Sequence, residues 1–322
     1  MSQRFKISKW VAAVSLLFGV VLLLSGCGEQ VIVMDPKGPI GAAQKDLIII
    51  STILCLIILV PVLALTAFIV FRYRDKPGNK ASYKPNWAHS NKLEIIWWSI
   101  PIVIIAVLAV FTVKGTYALE PSKPIASDKE PLVVQATSLD WKWLFTYPEQ
   151  GIATVNYLYI PEDRPIKFEL TSDAPMNSFW IPQLGGQMYT MSGMAMTLYL
   201  QADEPGMYYG SGANFSGEHF ADMTFDVHAI SDAQFEKWVH EVKRTSAELT
   251  KDGYTALATP GKAEPTEFSS FPDGLFESIV TKYAAGGSAH SHHGSGGHGE
   301  MSPKAHEPVE MTSDEAHHHS GH

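Results

Sequence analysis

The residues that could do chemistry are concentrated in one loop, "YYGSGANFSGEHFADM", which runs from Tyr208 to Met223. His219 and Met223 offer an imidazole and a thioether, and both groups can bind copper. The loop contains no cysteine, however, and a thioether alone is a weak acceptor. A lone histidine is more often hydrogen-bonded or exposed than bound to a metal, so we do not expect His219 to be a ligand.

Other sulfur-containing residues do not strengthen the case for a metal. The upstream methionines are Met188, Met191, Met194 and Met196. Thioethers can bind Cu(I), but methionine is also an adaptable packing residue, and packing is the stronger expectation. Cys27 and Cys55 lie in or beside apolar runs, which argues against a disulfide framework and against a thiolate cluster.

Composition limits the class of protein. The chain has 322 residues, of which 46% are hydrophobic and 18% charged, and the apolar residues are bunched in the first third. This distribution indicates a membrane protein. The formal net charge of −9 and the lack of a large basic patch argue against nucleic-acid binding.

The N-terminus has the layout of a secretory signal. Basic residues precede the apolar run Val11–Leu24, and small residues follow it. The sequence "LSGC", which ends at Cys27, looks like the lipobox of bacterial lipoproteins. It predicts a signal peptide at 1–26, a lipidated Cys27 and an external segment at 27–46. The alternatives are an uncleaved anchor or an ordinary buried cysteine.

Two apolar stretches predict transmembrane helices at 47–71 and 93–114. Their uncharged cores contain 25 and 19 residues, or about 37 Å and about 28 Å of helix. The loop 72–92 between them carries six basic residues and one acid, Asp75. The positive-inside rule therefore places this loop in the cytoplasm and the rest of the chain outside.

The external part changes character along its length. Short β-branched and aromatic runs, separated by turn signals, predict an all-β sandwich over 125–230. A helical extension at 231–285 follows, with one helix from about Ser231, its cap, to Thr250 and a weaker one over Leu275–Ala284. The tail 286–322 carries 9 of the 13 histidines and is predicted to be disordered.

This arrangement resembles subunit II of the haem-copper respiratory oxidases, in which a two-helix hairpin carries an external Greek-key cupredoxin domain. The motifs that carry the resemblance are "NKLEIIWWSIP", "DWKWLFTYPEQ", "MNSFWIPQLGGQMY" and the loop described above. Within the family, "YKPNWAHSNK", "ALEPSKP" and "YPEQGIATVN" look closest to the cytochrome bo-type ubiquinol oxidase branch.

The cytochrome c oxidase branch holds a dinuclear copper centre in this domain, with one upstream His and a C-x-E-x-C-x-x-x-H-x-x-M run. The corresponding positions here are Asn177, Gly212, Asn214, Ser216, Phe220 and Met223. Only Met223 matches the family pattern. Because Gly, Asn and Phe cannot replace thiolate or imidazole ligands, the resemblance predicts a subunit without this copper.

The resemblance also implies what such a subunit does. A membrane quinol can deliver electrons within the bilayer, so no copper is needed on the external domain. The chain is then a subunit of a proton-translocating ubiquinol oxidase of the bacterial inner membrane. It has no cofactor itself, and its partners are subunit I, which holds the haems and copper, other small membrane subunits, and lipid.

Glu94, at the start of the second helix, has two interpretations. An acid at a helix N-terminus is favoured by the helix dipole alone. The resemblance instead implies a carboxylate through which protons enter a channel in subunit I, and acids at the membrane boundary are functional candidates. The residues leave both open.

The "DWKW" motif predicts a strand on which Trp141 and Trp143 share one face, while Asp140 and Lys142 share the other. In cytochrome c oxidases, which this chain resembles, an aromatic residue in this region lies at the docking site of the electron donor. We expect the two tryptophans instead to pack between the sandwich and subunit I, but the sequence leaves both roles open.

Two other functions remain open: a copper-containing cytochrome c oxidase subunit II, and a periplasmic lipoprotein that binds metal through its His-rich tail.

Overall fold

The computed structural model describes residues 31–82 and 87–284. The predicted signal peptide, Cys27 and the His-rich tail lie outside the described residues.

Two long helices come first, α1 (Pro39–Tyr73) and α2 (Asn91–Ala118). Both are long and apolar enough to cross a membrane. The two helices contact each other and form a helical hairpin. Both exceed the predicted ranges, 47–71 and 93–114, because the prediction followed the uncharged residues alone. The polar residues at the start of α1 continue the same helix, which begins with proline at its first position.

The sandwich has two sheets. Its strands are β1 (Leu132–Leu139), β2 (Lys142–Tyr147), β3 (Ile152–Val155), β4 (Tyr157–Pro161), β5 (Ile166–Ser172), β6 (Asn177–Trp180), β7 (Met188–Thr190), β8 (Met196–Leu200), β9 (Gly206–Gly212) and β10 (Thr224–Ile230). With β11, described below, the sheet orders are β11-β3-β2-β1-β5-β8 and β4-β10-β9-β6-β7. Most neighbours are antiparallel, but β1 pairs with β5 and β4 with β10 in parallel. The predicted β-sandwich is confirmed.

Aromatic side chains fill the space between the sheets. Phe179 stacks on Phe225 at 5.1 Å between ring centroids, and Trp143 meets Phe179 edge-to-face at 5.4 Å. All three are fully or almost fully buried. Such pairs contribute about 0.5–1.5 kcal/mol each beyond the burial of their area. The strands that carry the loop Tyr208–Met223 are therefore anchored in the core.

The C-terminal extension forms a third layer. It contains α3 (Asp232–Thr245), α4 (Lys251–Leu257), β11 (Thr266–Phe268) and α5 (Leu275–Ala284). A capping box at Ser231 begins α3. The predicted helix to Thr250 was too long, because the chain leaves α3 after Thr245 and Thr250 caps a separate helix.

The outer face of the larger sheet is covered by this extension. Leu144 and Val155 of the sheet pack with Leu249 and Ile279 in a second buried cluster. β11 pairs with β3 and forms the edge of this sheet, with Phe268 opposite Ala153. Because both faces of the larger sheet are covered, β1, β2 and β3 are buried almost throughout.

The sandwich is fixed to the start of α1 by backbone contacts. The N–H of Lys37 donates to the carbonyl of Gln183 at 2.7 Å, and the N–H of Gly41 donates to that of Leu184 at 3.0 Å. A Cβ atom at Gly38 would overlap the carbonyl oxygen of Gln201. This close approach requires glycine and sets the sandwich directly on the first helix.

Candidate functional site

The six positions that the resemblance assigns to copper ligands, called here the copper-ligand positions, lie on three elements. Asn177 begins β6, Gly212 ends β9, and the remaining four follow in the connection from β9 to β10. A 3-10 turn over Phe220–Asp222 folds this connection back, so that Met223 returns to the core next to β10. The structure therefore brings the two ends of the loop onto neighbouring strands.

Asn177 is the centre of the site. Its side chain is buried, with the residue only 1% exposed. Its Oδ1 accepts from the backbone N–H of Ser178 at 2.7 Å and, more weakly, from that of Asn214 at 3.4 Å. Its Nδ2 donates to the Met223 Sδ at 2.9 Å and to the Ser216 Oγ at 3.3 Å. The amide thus uses both of its polar atoms inside the protein.

Gly212 lies against the Asn177 amide. A Cβ at Gly212 would be 2.9 Å from Oδ1 and 3.0 Å from Nδ2 of Asn177. The N–H of Gly212 donates to the carbonyl of Met223 at 2.9 Å. No side chain can be added at this position without displacing a buried, hydrogen-bonded amide.

Asn214 and Phe220 lie at the margin of this cluster. Asn214 donates from Nδ2 to the carbonyl of Met176 at 3.2 Å. Phe220 packs edge-to-face against Phe215, with ring centroids 5.7 Å apart, and lines a surface cavity of about 380 Å³ with Trp180. Both residues support the loop and carry no charge.

His219 lies apart from the Asn177 cluster. Its ring meets that of Trp141 edge-to-face at 4.9 Å, and its Nδ1 is 3.9 Å from the Asp222 carboxylate. Asp222 also accepts a hydrogen bond from Lys262, which lowers the pKa of that carboxyl. Within residues 31–82 and 87–284, no group of three or more His, Cys, Asp and Glu side chains is placed to hold a metal ion.

The side chains at these positions do not fit a dinuclear copper centre. Copper of this kind requires thiolate and imidazole donors. Here an amide N–H points at the one sulfur present, and a glycine and a hydroxyl stand where thiolates would be. The cluster is internally hydrogen-bonded, so its chemistry is structural.

The prediction that Trp141 and Trp143 share a face was wrong. Trp141 lies in the tight turn between β1 and β2 with φ of 62°, so the strand alternation begins only at Lys142. Trp143 is fully buried in the core of this chain, which also corrects the prediction that it packs against subunit I. Lys142 is buried too and donates to the carbonyls of Leu257 and Thr259.

Trp141 holds the loop instead. Its Nε1 donates to the carbonyl of Ser216 at 3.1 Å, and its ring covers Gly217. Sequence reasoning missed this contact, because a left-handed conformation at a non-glycine residue leaves no composition signal.

Glu94 lies in the first turn of α2, at the end of the helix opposite the sandwich. About 36 Å of helix separates it from Ala118. Its Oε1 is 3.7 Å from His89 Nδ1, and 40% of its side chain is exposed. The carboxylate is therefore accessible and has one nearby imidazole.

The fold and the site together define a class of protein. It is a membrane protein with two apolar helices and an external, cupredoxin-like domain, in which an amide, a glycine and a hydroxyl occupy the copper-ligand positions. Family models agree: the transmembrane domain of cytochrome c oxidase subunit II matches residues 38–114 and its periplasmic domain matches 149–230. The oxidase aromatic-rich motif matches residues 243–287. The chain belongs to the cytochrome c oxidase subunit II family.

Curated relatives match over most of the chain. The cytochrome bo(3) ubiquinol oxidase subunit 2 of Pseudomonas aeruginosa is 43% identical over 302 residues, covering 92% of this chain and 89% of the relative. The ubiquinol oxidase subunit 2 of Acetobacter aceti is 45% identical over 283 residues, which cover 87% of this chain and 91% of the relative. The quinol oxidase subunit 2 of Bacillus subtilis is 49% identical and covers 79% of each chain.

A solved structure matches part of the chain. The periplasmic domain of subunit II of cytochrome oxidase from Bradyrhizobium japonicum is 22% identical, with a TM-score of 0.35, and covers 37% of this chain and 98% of that domain.

Proposed function

We propose that this chain is the copper-free subunit II of a ubiquinol oxidase that reduces oxygen to water and translocates protons. The observation that carries the proposal is the Asn177 cluster, in which a buried amide bonds Met223 and Ser216 where copper ligands would lie. The printed names of the full-length relatives, ubiquinol and quinol oxidase subunit 2, support the same function.

The side chains at the copper-ligand positions argue for an electron donor that is dissolved in the membrane. A soluble one-electron donor needs a redox centre on the external domain, and the side chains here do not suit one. A quinol dissolved in the bilayer can instead deliver electrons to a haem of the partner subunit I. This chain then contributes no redox step. It supports assembly and holds the external domain over the membrane part of the complex.

The test is made on the complex purified in mild detergent. We expect subunit I to co-purify with this chain. The complex should turn over with ubiquinol but not with reduced cytochrome c, and its copper content should equal that of the oxygen-reducing site alone. A dinuclear copper centre in the external domain, or turnover with cytochrome c, would overturn the proposal. Removal of residues after 286 should leave turnover unchanged, since a His-rich tract of this composition binds metal without geometric selectivity.

Glu94 is proposed as the carboxylate through which protons enter subunit I. Its support is its position at the helix end remote from the sandwich, where it is accessible and has His89 as its neighbour. Glu94→Gln should slow turnover and proton uptake in a fully assembled complex, whereas Glu94→Asp should retain most of both. Unchanged turnover of Glu94→Gln in a fully assembled complex would overturn this proposal and leave only the favourable interaction of an acid with the helix start.

Two further proposals concern the membrane. The basic loop between the helices supports a cytoplasmic position for residues 72–92, and thus a periplasmic sandwich on the inner membrane. Cys27 is proposed as a lipidation site, and incorporation of labelled palmitate is the measurement that tests it. Cys27→Ala should lose the label, and a variant that keeps it would contradict this assignment.

A further inference from the structure

One buried carboxylate of the sandwich is bonded entirely by the C-terminal extension. Asp173 directly follows β5, and 1% of its side chain is exposed. Its Oδ1 accepts from Lys282 Nζ at 2.6 Å and from Tyr283 Oη at 2.7 Å. Its Oδ2 accepts from Tyr254 Oη at 2.6 Å. Three short bonds to a carboxylate form a strong junction, because hydrogen bonds to charged groups are about twice as strong as neutral ones.

The three donors come from separate parts of the extension. Tyr254 lies on α4, whereas Lys282 and Tyr283 lie at the end of α5. The same end of α5 also touches the loop after β7, where a Cβ at Gly193 would lie 3.3 Å from the Tyr283 backbone. Asp173 therefore joins both helices to one point on the sandwich.

The other side of Asp173 leads directly to the copper-ligand positions. The residues that follow it, 174–177, form the β5 to β6 connection that ends at Asn177. Ser192 Oγ donates to the carbonyl of Ala174 at 3.0 Å, and Asn214 Nδ2 donates to that of Met176 at 3.2 Å. The segment is thus bonded on one side to the extension and on the other to the loop after β9.

We propose that the C-terminal extension positions the loops at the copper-ligand positions, residues 174–177 and 213–217, and that Asp173 is the positioning residue through which it does so. The extension then orders the Asn177 cluster in the place of a bound metal. This role is independent of the identity of the electron donor, so its test can fail while the proposed function stands.

The physical basis is a contiguous series of hydrogen bonds and short backbone segments. From Tyr283 through Asp173 to Met176 and Asn214, each contact is a hydrogen bond or three or fewer residues of backbone. Loosening one end should therefore loosen the other, and by linkage the coupling is reciprocal. A purely local role for Asp173 would affect the extension alone.

Hydrogen exchange on the full complex tests this. Asp173→Asn should speed amide exchange in both 275–284 and 213–217, by about 10-fold or more, since a bond to a charged group is worth one to two powers of ten in an equilibrium. The matched control is Asp232→Asn, which removes an exposed partner of Lys129 and should change neither segment.

A second set of variants covers the case in which Asp173→Asn does not assemble. Lys282→Met should speed exchange in both segments and Lys282→Arg should restore most of the protection, because the charge and donor remain. In the reverse direction, Asn214→Ala should speed exchange in 275–284. Faster exchange in the perturbed segment alone, in either direction, would overturn the proposal.

Discussion

Replacing Asn177 with alanine should destabilise the external domain. The substitution removes an amide that is almost completely buried and bonded at both polar atoms. Its strongest acceptor contact is with the N–H of Ser178 at 2.7 Å, and Ser178 is itself 1% exposed. That contact decides the expected cost.

The magnitude follows from the groups left without partners. A buried donor that loses its acceptor costs about 1–3 kcal/mol. The N–H of Ser178 bears this cost in full, whereas Asn214 is partly exposed and recovers water. Loss of the donors to Met223 and Ser216 adds a smaller amount, which gives about 2–4 kcal/mol in total. For a domain of this size each kcal/mol lowers the Tm by about 2–4 °C, so we expect a drop of roughly 5–15 °C.

The assay is thermal unfolding of the detergent-purified protein, followed by tryptophan fluorescence, to which the buried Trp143 contributes. Asn214→Ala is the matched control, because its side chain makes one contact, to the Met176 carbonyl, and is only partly buried. It should cost about 0.5–1.5 kcal/mol. If Asn177→Ala lowers the Tm no more than this control does, the cluster does not carry the structural role assigned to it.

Three other expectations follow from buried contacts. Gly38→Ala should weaken the junction between α1 and the sandwich, seen as faster proteolysis there, whereas Gly206→Ala, where a Cβ meets only ordinary contacts, should not. Burial alone would raise the pKa of Asp173, but the bonds from Lys282 and the two tyrosines outweigh it and lower the pKa. The ionised carboxylate therefore stabilises the fold fully above about pH 4, the pKa of an aspartate in the unfolded chain. This stabilisation is lost as the pH falls through the lower pKa of the folded protein. The difference in unfolding free energy between the protein and Asp173→Asn should therefore shrink over that pH range. Lys142→Met should cost about 1–3 kcal/mol by removing two bonds to backbone carbonyls, measured as faster exchange over 251–257.

Local patterns predicted the parts of the fold that depend on neighbouring residues. The helix over Leu275–Ala284 has the predicted bounds, and Ser231 caps α3 with a bond to the N–H of Gln234. A cap and an apolar stripe both act over one or two turns, so the sequence displays them directly. The transmembrane helices were predicted for the same reason, although their polar first turns were not.

Features that depend on distant residues were not predictable. β11 has three residues, and its pairing with β3 joins positions more than a hundred residues apart. Trp141 was misplaced because one left-handed residue shifts the strand alternation by one position. Asp173 looks like an ordinary loop acid in "TSDAP", and its burial depends on α4 and α5 folding over it.

The residues at the positions that the resemblance assigns to copper ligands depend on one another for their packing. Gly212 has no room for a Cβ because the Asn177 amide occupies the space beside it. The amide is held there by Met223 and Ser216, so moving it aside would break buried hydrogen bonds. A thiolate at 212 would therefore clash unless residue 177 also changed, and such neighbours have non-additive effects on stability. An amide-centred set of hydrogen bonds therefore fixes the path of this loop.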